Sequence, residues 1–200
     1  YTQNTTNSTA TIFDKIIDKI KNNSNKTNTQ NTYYDDGTLK SVINYDADGN
    51  KTSSDTYFEN GSLKTHCEYN TKGKLRYELS KNENGQILYE KKISSNGNVQ
   101  LTSYSYDEDD KLNTVIKNVT DKNNNVIFNS HSKYLNGKIS SQIIHNKNNT
   151  KTITFEYDSN GNKTKETKKV FSKYCDEEEA EIIKYYNQNG EIIKIEANQY

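Results

Sequence analysis

Residues 33–61 read YYDDGTLKSVINYDADGNKTSSDTYFENG and contain three turns at one spacing. Gly37, Gly49 and Gly61 recur at a constant interval, and each closes a short polar segment: YDDG at 34–37, DADG at 46–49, FENG at 58–61. An early Asp or Asn in such a segment can bond its own backbone, and the final Gly takes the left-handed conformation that a bulged hairpin turn requires. Working outward, Gly73, Gly85 and Gly97 continue the same interval. Asp110 and Asn125 then occupy the turn position, and Gly137, Asn149 and Gly161 return to the regular spacing. Asn tolerates the left-handed conformation, whereas Asp110 is less comfortable there. Gly190 stands two units plus five positions after Gly161, and the acidic run Asp176–Glu179 is the natural place for the insertion.

About eight residues separate the turns, a normal strand length. They alternate. One set carries Leu39, Ile43 and Tyr45, then Leu63, Cys67 and Tyr69, then Leu75, Tyr77 and Leu79, then Ile87, Tyr89 and Ile93, then Val99 and Leu101. The other set carries Lys40, Asn44, Lys64, His66, Glu68, Arg76, Glu78, Glu90 and Lys92. Period two with one apolar face marks a half-buried strand. The second unit breaks the pattern, with Lys51, Ser53 and Asp55 at apolar positions. Strands joined by tight turns run antiparallel. The expectation is an all-β antiparallel meander of about thirteen strands, from near Tyr33 to Tyr200, rolled or open. Its apolar face must be covered, either by rolling up or by another element.

Composition narrows the function classes. Hydrophobic residues make up only 30% of the chain, 16 residues are tyrosine, and Pro, Met and Trp are absent. So low a content can signal disorder, but here the apolar residues recur at fixed positions and the net charge is zero. Zero charge argues against a nucleic-acid binder, which needs a basic face. No apolar run approaches the roughly 20 residues of a spanning helix. The excess of Lys and Asn, with Arg76 the one arginine, suggests an AT-rich genome. The absence of Met, at residue 1 as elsewhere, is the expectation for a processed or excised chain, and a removed export signal would account for it. Asn-x-Ser/Thr sequons such as those at Asn4, Asn7, Asn25, Asn50 and Asn60 arise by chance in so Asn- and Thr-rich a chain. Cys67 and Cys175 allow one bridge at most, and two independent thiols are the plainer reading.

Residues 1–31 form a separate Asn/Thr-rich segment before the repeat domain of 32–200. Within it, Ile12, Phe13, Ile16, Ile17 and Ile20 fall on one side of a short helix over 11–21, with Thr11 as cap. A helix of that length is marginal alone. It is expected to dock through those five side chains onto the apolar sheet face or a neighbouring subunit.

The units YDADGNKT (45–52) and YDSNGNKT (157–164) resemble the YD repeat of bacterial Rhs proteins and the related teneurins, with YDEDDKL (106–112) a degenerate copy. The units YYDDGTLK (33–40) and YFENGSLK (57–64) look equally like the MORN-type repeats of bacterial antitoxin-like proteins. The resemblance runs through the repeat region, from Tyr33 onward. It implies a repeat architecture; Rhs shells are many-stranded spirals that wrap a toxin, and this chain is too short for such a shell. Neither resemblance brings a catalytic motif.

The chemistry-bearing residues are read against plainer uses. Tyr45, Tyr57 and Tyr69 recur at one repeat position, where aromatic neighbours stabilise a sheet or, alternatively, stack on a sugar or another chain. DADGN at 46–50 and Asp107–Asp110 invite calcium, but Asp-Gly turns account for them. His66, His131 and His145 are dispersed, and no nucleophile elbow, phosphate loop or zinc-protease motif is present. No cofactor or metal and no enzyme activity is expected. The expected function is a surface-exposed or secreted bacterial module for binding or self-assembly through an extended sheet face or edge. Its partner is another protein or further copies of itself, and the edge candidates are Ile192, Ile193 and Ile195. The alternatives are a cytoplasmic antitoxin or immunity-type protein that masks a toxin, and a carbohydrate-binding wall protein.

Overall fold

The structure is a computed structural model that describes residues 28–172 and 177–200. Its elements are all strands: β1 Asn28–Tyr33, β2 Leu39–Tyr45, β3 Lys51–Tyr57, β4 Leu63–Tyr69, β5 Leu75–Lys81, β6 Ile87–Ile93 and β7 Val99–Tyr106. They continue as β8 Leu112–Thr120, β9 Val126–Leu135, β10 Lys138–Asn146, β11 Asn149–Tyr157, β12 Lys163–Ser172, β13 Glu178–Tyr186 and β14 Ile192–Gln199. Strand order along the sheet is the order of the sequence, so the all-β antiparallel meander is an open sheet of fourteen strands with β1 and β14 outermost. The helix expected over 11–21, with its docking residues Ile12, Phe13, Ile16, Ile17 and Ile20, lies outside the described residues. Among the described residues no helix is long and apolar enough to cross a membrane. The chain divides into two compact units at Leu75/Arg76, the first carrying β1–β4 and the second β5–β14.

One turn recurs. Asp46 N–H donates to the Asn50 carbonyl at 2.9 Å, and Gly49 N–H donates to the Asp46 carbonyl at 3.1 Å. The Asp46 carboxylate also accepts from Asp48 N–H at 3.0 Å and Asn50 N–H at 2.7 Å, as an Asx turn does. The same backbone pair closes the turns starting at Tyr34, Phe58, Asn70, Asn82, Ser94, Asp107, Asp121, Asp158 and Asn187. Gly61, Gly73, Gly85 and Gly137 have φ of 81°, 67°, 81° and 75°, as the turn assignment requires.

The irregular repeats depart from expectation by small steps. Asp110 does take the left-handed position, at φ 62°. The next turn places Asn124, not Asn125, there (φ 65°), because its N–H donates to Asp121 and Asn125 supplies the following carbonyl. Asn149 already begins β11, and its turn is closed by the Asn146 side chain, which accepts from the N–H groups of Asn148 and Asn149 at 2.9 Å. Asn136 and Gly137 both have positive φ, 52° and 75°, the two-residue hairpin turn in which Asn-Gly is favoured. Glu178 and Glu179, assigned to the inserted loop, belong to β13, where Lys169 pairs with Glu178 at 2.9 Å. β1 starts at Asn28, inside the segment read as the N-terminal tail; all six of its residues are exposed, so it carries no alternating signal.

A second device follows nearly every turn. Thr32 pairs with Ser41 but Tyr33 pairs with Leu39, leaving Lys40 as an extra residue. The same two-for-one step leaves Thr52, Lys64, Leu88, Asn113, Ile127, Thr164 and Ile193 extra in their strands. These are β-bulges, and all but Thr164 are exposed. Because side chains alternate strictly, one extra residue transfers everything beyond it to the other face. Leu39 therefore lies on the opposite face from Ile43. Ile43 faces Ser54 and Cys67, and its repeat equivalent Asp55 is on the other side with His66. Leu79 faces Glu90 in place of Tyr89. The β6–β7 pair has no such step, and there Tyr89 and Leu101 share a face.

The single apolar face expected from the alternation is thus corrected: the bulges divide the apolar side chains between both faces. Among the described residues no hydrophobic side chain is buried. The most enclosed are small hydroxyls, Ser80 at 9%, Thr102 at 7%, and Ser130 and Ser132 at 5% exposure. Hydroxyl pairs cross the strands, Thr32 to Ser41 at 2.7 Å and Thr56 to Thr65 at 2.5 Å. Lysines lie over rings, Lys40 on Tyr34 and, two repeats further on, Lys64 on Phe58, each 5.3 Å from the centroid.

A Cβ on Gly61 would meet nothing within 4 Å, so substitution there tests backbone strain alone. Gly61→Val should lower the stability of the chain in urea unfolding by more than about 1 kcal/mol, because a β-branched residue fits positive φ badly. Asp110→Gly should raise stability by about 0.5–1 kcal/mol by relieving the same strain. Equal midpoints for all three proteins would contradict the turn account.

Candidate functional site

β14 has one neighbour, β13, with Lys194 opposite Tyr185 and Ala197 opposite Ile182. Among the described residues no strand pairs with its other edge. Ile192, Ile193 and Ile195 are exposed to 49%, 64% and 58%, and Tyr200 to 73%. Ile193 is the bulge residue of β14. Lys194 and Glu196 form an ion pair at 2.5 Å on the face opposite Ile195. The Tyr185 hydroxyl donates to Glu196 at 3.1 Å, and Lys194 lies 5.4 Å from the Tyr185 ring centroid. Glu196 is held below the usual carboxylate range by Lys194 and Tyr185, and Lys194 is raised by Glu196. The opposite edge, β1, reads NTQNTY; it is fully exposed and carries no charge.

The tyrosines do not form one stripe. Tyr45 and Tyr69 end β2 and β4 at one rim, whereas Tyr57 ends β3 at the other. The bulges also place them on different faces. The Tyr45 hydroxyl donates to Gln30 at 3.3 Å on the Ile43 face, and the Tyr69 hydroxyl meets Ser54 at 3.1 Å on that same face. Tyr57 is opposite Leu63 on the reverse face. Equivalent repeat positions in antiparallel neighbours necessarily lie at opposite strand ends, so side chains two units apart share a rim where those one unit apart do not. Tyr69 also has Lys51 over its ring at 5.1 Å, which occupies a surface a sugar would stack on.

The ionisable cluster of Tyr77, Glu90 and Tyr104 was not apparent in the sequence. Glu90 accepts one phenol on each oxygen, both at 2.8 Å. These bonds hold Glu90 below the usual carboxylate range, while burial and then Glu90 itself push Tyr104 up to about 12. A signal existed in principle: Tyr77 and Glu90 lie diagonal to one another across β5–β6, but the pairing register had to be known first. With both oxygens engaged by protein, the cluster acts as a cross-strand brace.

His66 donates or accepts with Asp55 at 2.6 Å and lies 3.5 Å from Glu68. The Asp55 hydrogen bond raises its pKa above the ordinary value, against burial, which lowers it. Among the described residues no group of three or more His, Cys, Asp and Glu is arranged to hold a metal ion. Cys67 is half-buried in β4, and Cys175 lies outside the described residues. A recess of about 380 Å³ at the β1–β2 turn is lined by Tyr33, Tyr34, Asp35, Asp36, Lys40 and Glu59.

No protein-family model and no curated protein matches this chain. Among solved structures, a protein with unknown function from Bacteroides fragilis is similar over 90% of this chain and 96% of its own, at 11% identity and a TM-score of 0.23. A porin-like protein from Bacteroides uniformis is similar over 88% of this chain and 91% of its own, at 12% identity and a TM-score of 0.24.

The raised His66 pKa has a stability consequence. A group whose pKa is raised on folding contributes stability that is complete below its unfolded value, about 6.5, and is lost as pH rises through the folded value. NMR titration of the His66 ring should give a midpoint above the unfolded value, and unfolding should become easier as pH rises across it. Asp55→Asn should return the midpoint toward the ordinary value and flatten that dependence. A titration unchanged by Asp55→Asn would show that another group sets it.

Proposed function

We propose that this chain is a non-enzymatic binding and assembly module that works through an exposed edge of its sheet. The observation that carries the reading is β14: the outermost strand, unpaired on one side among the described residues, with three exposed isoleucines. Open edges ordinarily receive another strand unless they are short, twisted away or heavily charged, and backbone pairing then supplies affinity while side chains select the partner. Two charges on the whole of β14 protect this edge lightly. A sheet that spreads its apolar groups over both faces offers extended surfaces, which supports a surface mode of action. The resemblance of 45–52 and 157–164 to YD repeats supports a secreted or cell-surface setting in a bacterium. Covering of the Tyr69 ring by lysine weighs against the carbohydrate-binding alternative.

Native mass measurement with and without other cell components should reveal association of the chain, with itself or with a second protein. Ile195→Pro should abolish it by removing a ladder donor, while leaving the circular dichroism spectrum unchanged. Association that survives Ile195→Pro in a folded chain would overturn the edge reading.

A further inference from the structure

Resting on that reading of β14 as a receptive edge, we propose that its occupant is β14 of a second copy, paired antiparallel about a two-fold axis at Ile195. The direction of the backbone groups fixes the geometry. Tyr200 N–H donates to the Glu179 carbonyl at 3.1 Å, and Gln199 lies opposite Ala180. Backbone groups alternate in direction along an antiparallel strand. Asn198, Glu196 and Lys194 therefore turn theirs toward β13, and Gln199, Ala197 and Ile195 turn theirs outward. The bulge at Ile193 does not obstruct this edge. In β2 the bulge is at Lys40, and the residues beyond it, Ser41–Tyr45, are those that pair with β3. Lys194 onward is the matching segment of β14.

Two copies related by a two-fold axis present the same strand to each other antiparallel. Only outward-turned residues can exchange ladder bonds, so the registers are few. Placing Ile195 opposite Ile193 sets Lys194 against Lys194. Placing Ile195 opposite Ala197 sets Glu196 against Glu196. Placing Ala197 opposite itself sets Glu196 against Asn198 and gives neither charge an opposite partner. Placing Ile195 opposite Ile195 sets Lys194 against Glu196 on both sides of the axis. Directly opposed like charges destabilise a strand pair and unlike charges stabilise it. The last register is thus selected by charge complementarity, and it extends the existing Lys194–Glu196 ion pair into a ring of four alternating charges. On the reverse face the two Ile195 side chains, each 58% exposed, meet beside Ala197 and Ile182. β1 offers no comparable match, because NTQNTY contains no charged residue.

Sedimentation equilibrium of the full chain over a concentration series tests the pairing. The wild type is expected to dimerise reversibly. Lys194→Glu opposes carboxylates at both ion pairs and should weaken the dimer about tenfold or more. The double variant Lys194→Glu/Glu196→Lys restores unlike pairs and should recover the wild-type affinity. Both side chains are exposed, 62% and 38%, so both variants should fold, and thermal unfolding checks this. A monomeric wild type, a Lys194→Glu chain that dimerises as well as wild type, or a folded double variant that fails to recover would each overturn the proposal. If the wild type is monomeric but its complex with another protein is lost on Ile195→Pro, self-pairing fails and the edge reading stands. If Ile195→Pro leaves all association intact, both fail.

Discussion

The extra residue set three positions beyond the turn glycine, as Lys40, Thr52 and Lys64 are, governs where every other side chain goes. A strand has two faces and a period of two, so one unpaired residue exchanges the faces for the rest of the strand. Leu39 and Tyr33 meet on one side, Ile43 and Tyr45 on the other. Repeated along the meander, the step makes both faces amphipathic in alternate bands.

Stability must then come from sideways contacts. Hydroxyl pairs such as Thr56–Thr65, the Asp55–His66 pair, the Tyr77–Glu90–Tyr104 brace and the Lys92 ammonium over the Tyr77 ring are all cross-strand or diagonal neighbours. Each contributes roughly 0.2–1 kcal/mol, small singly, but such contacts recur from one strand pair to the next. The most enclosed residues are serines and a threonine on interior strands, Ser80, Thr102, Ser130 and Ser132. This suits the composition: Tyr and Lys lay an apolar ring or stem along the sheet and keep a polar tip in water, and Thr and Ser hydroxyls pair across the strands.

The fold was legible in the sequence because positive φ has a strong residue preference: Gly61, Gly73, Gly85 and Gly137 announce their turns. Where Asn replaces Gly the signal weakens, and the turn at Asn124 reads one residue late. The bulges were not legible, since their residues (Lys, Thr, Leu, Asn, Ile) share no chemistry; each is defined by what its neighbour pairs with. That is why Tyr45, Tyr57 and Tyr69 read as a stripe and are in fact divided between rims and faces. β1 was missed because an exposed edge of Asn and Thr has no apolar alternation. The isoleucines of β14 were legible as a cluster, but their accessibility follows from their place at the end of the strand order.

The exchange of face and rim between successive units limits how such a chain can change length. Duplicating or deleting a single unit would reverse the direction of every later strand relative to those before it and transfer its side chains to the other side of the sheet. Each described strand pairs only with its sequence neighbours, so the change is felt at the new junction and at the end of the sheet: gaining one unit sends the terminal strand out in the opposite direction, whereas gaining two preserves both direction and face.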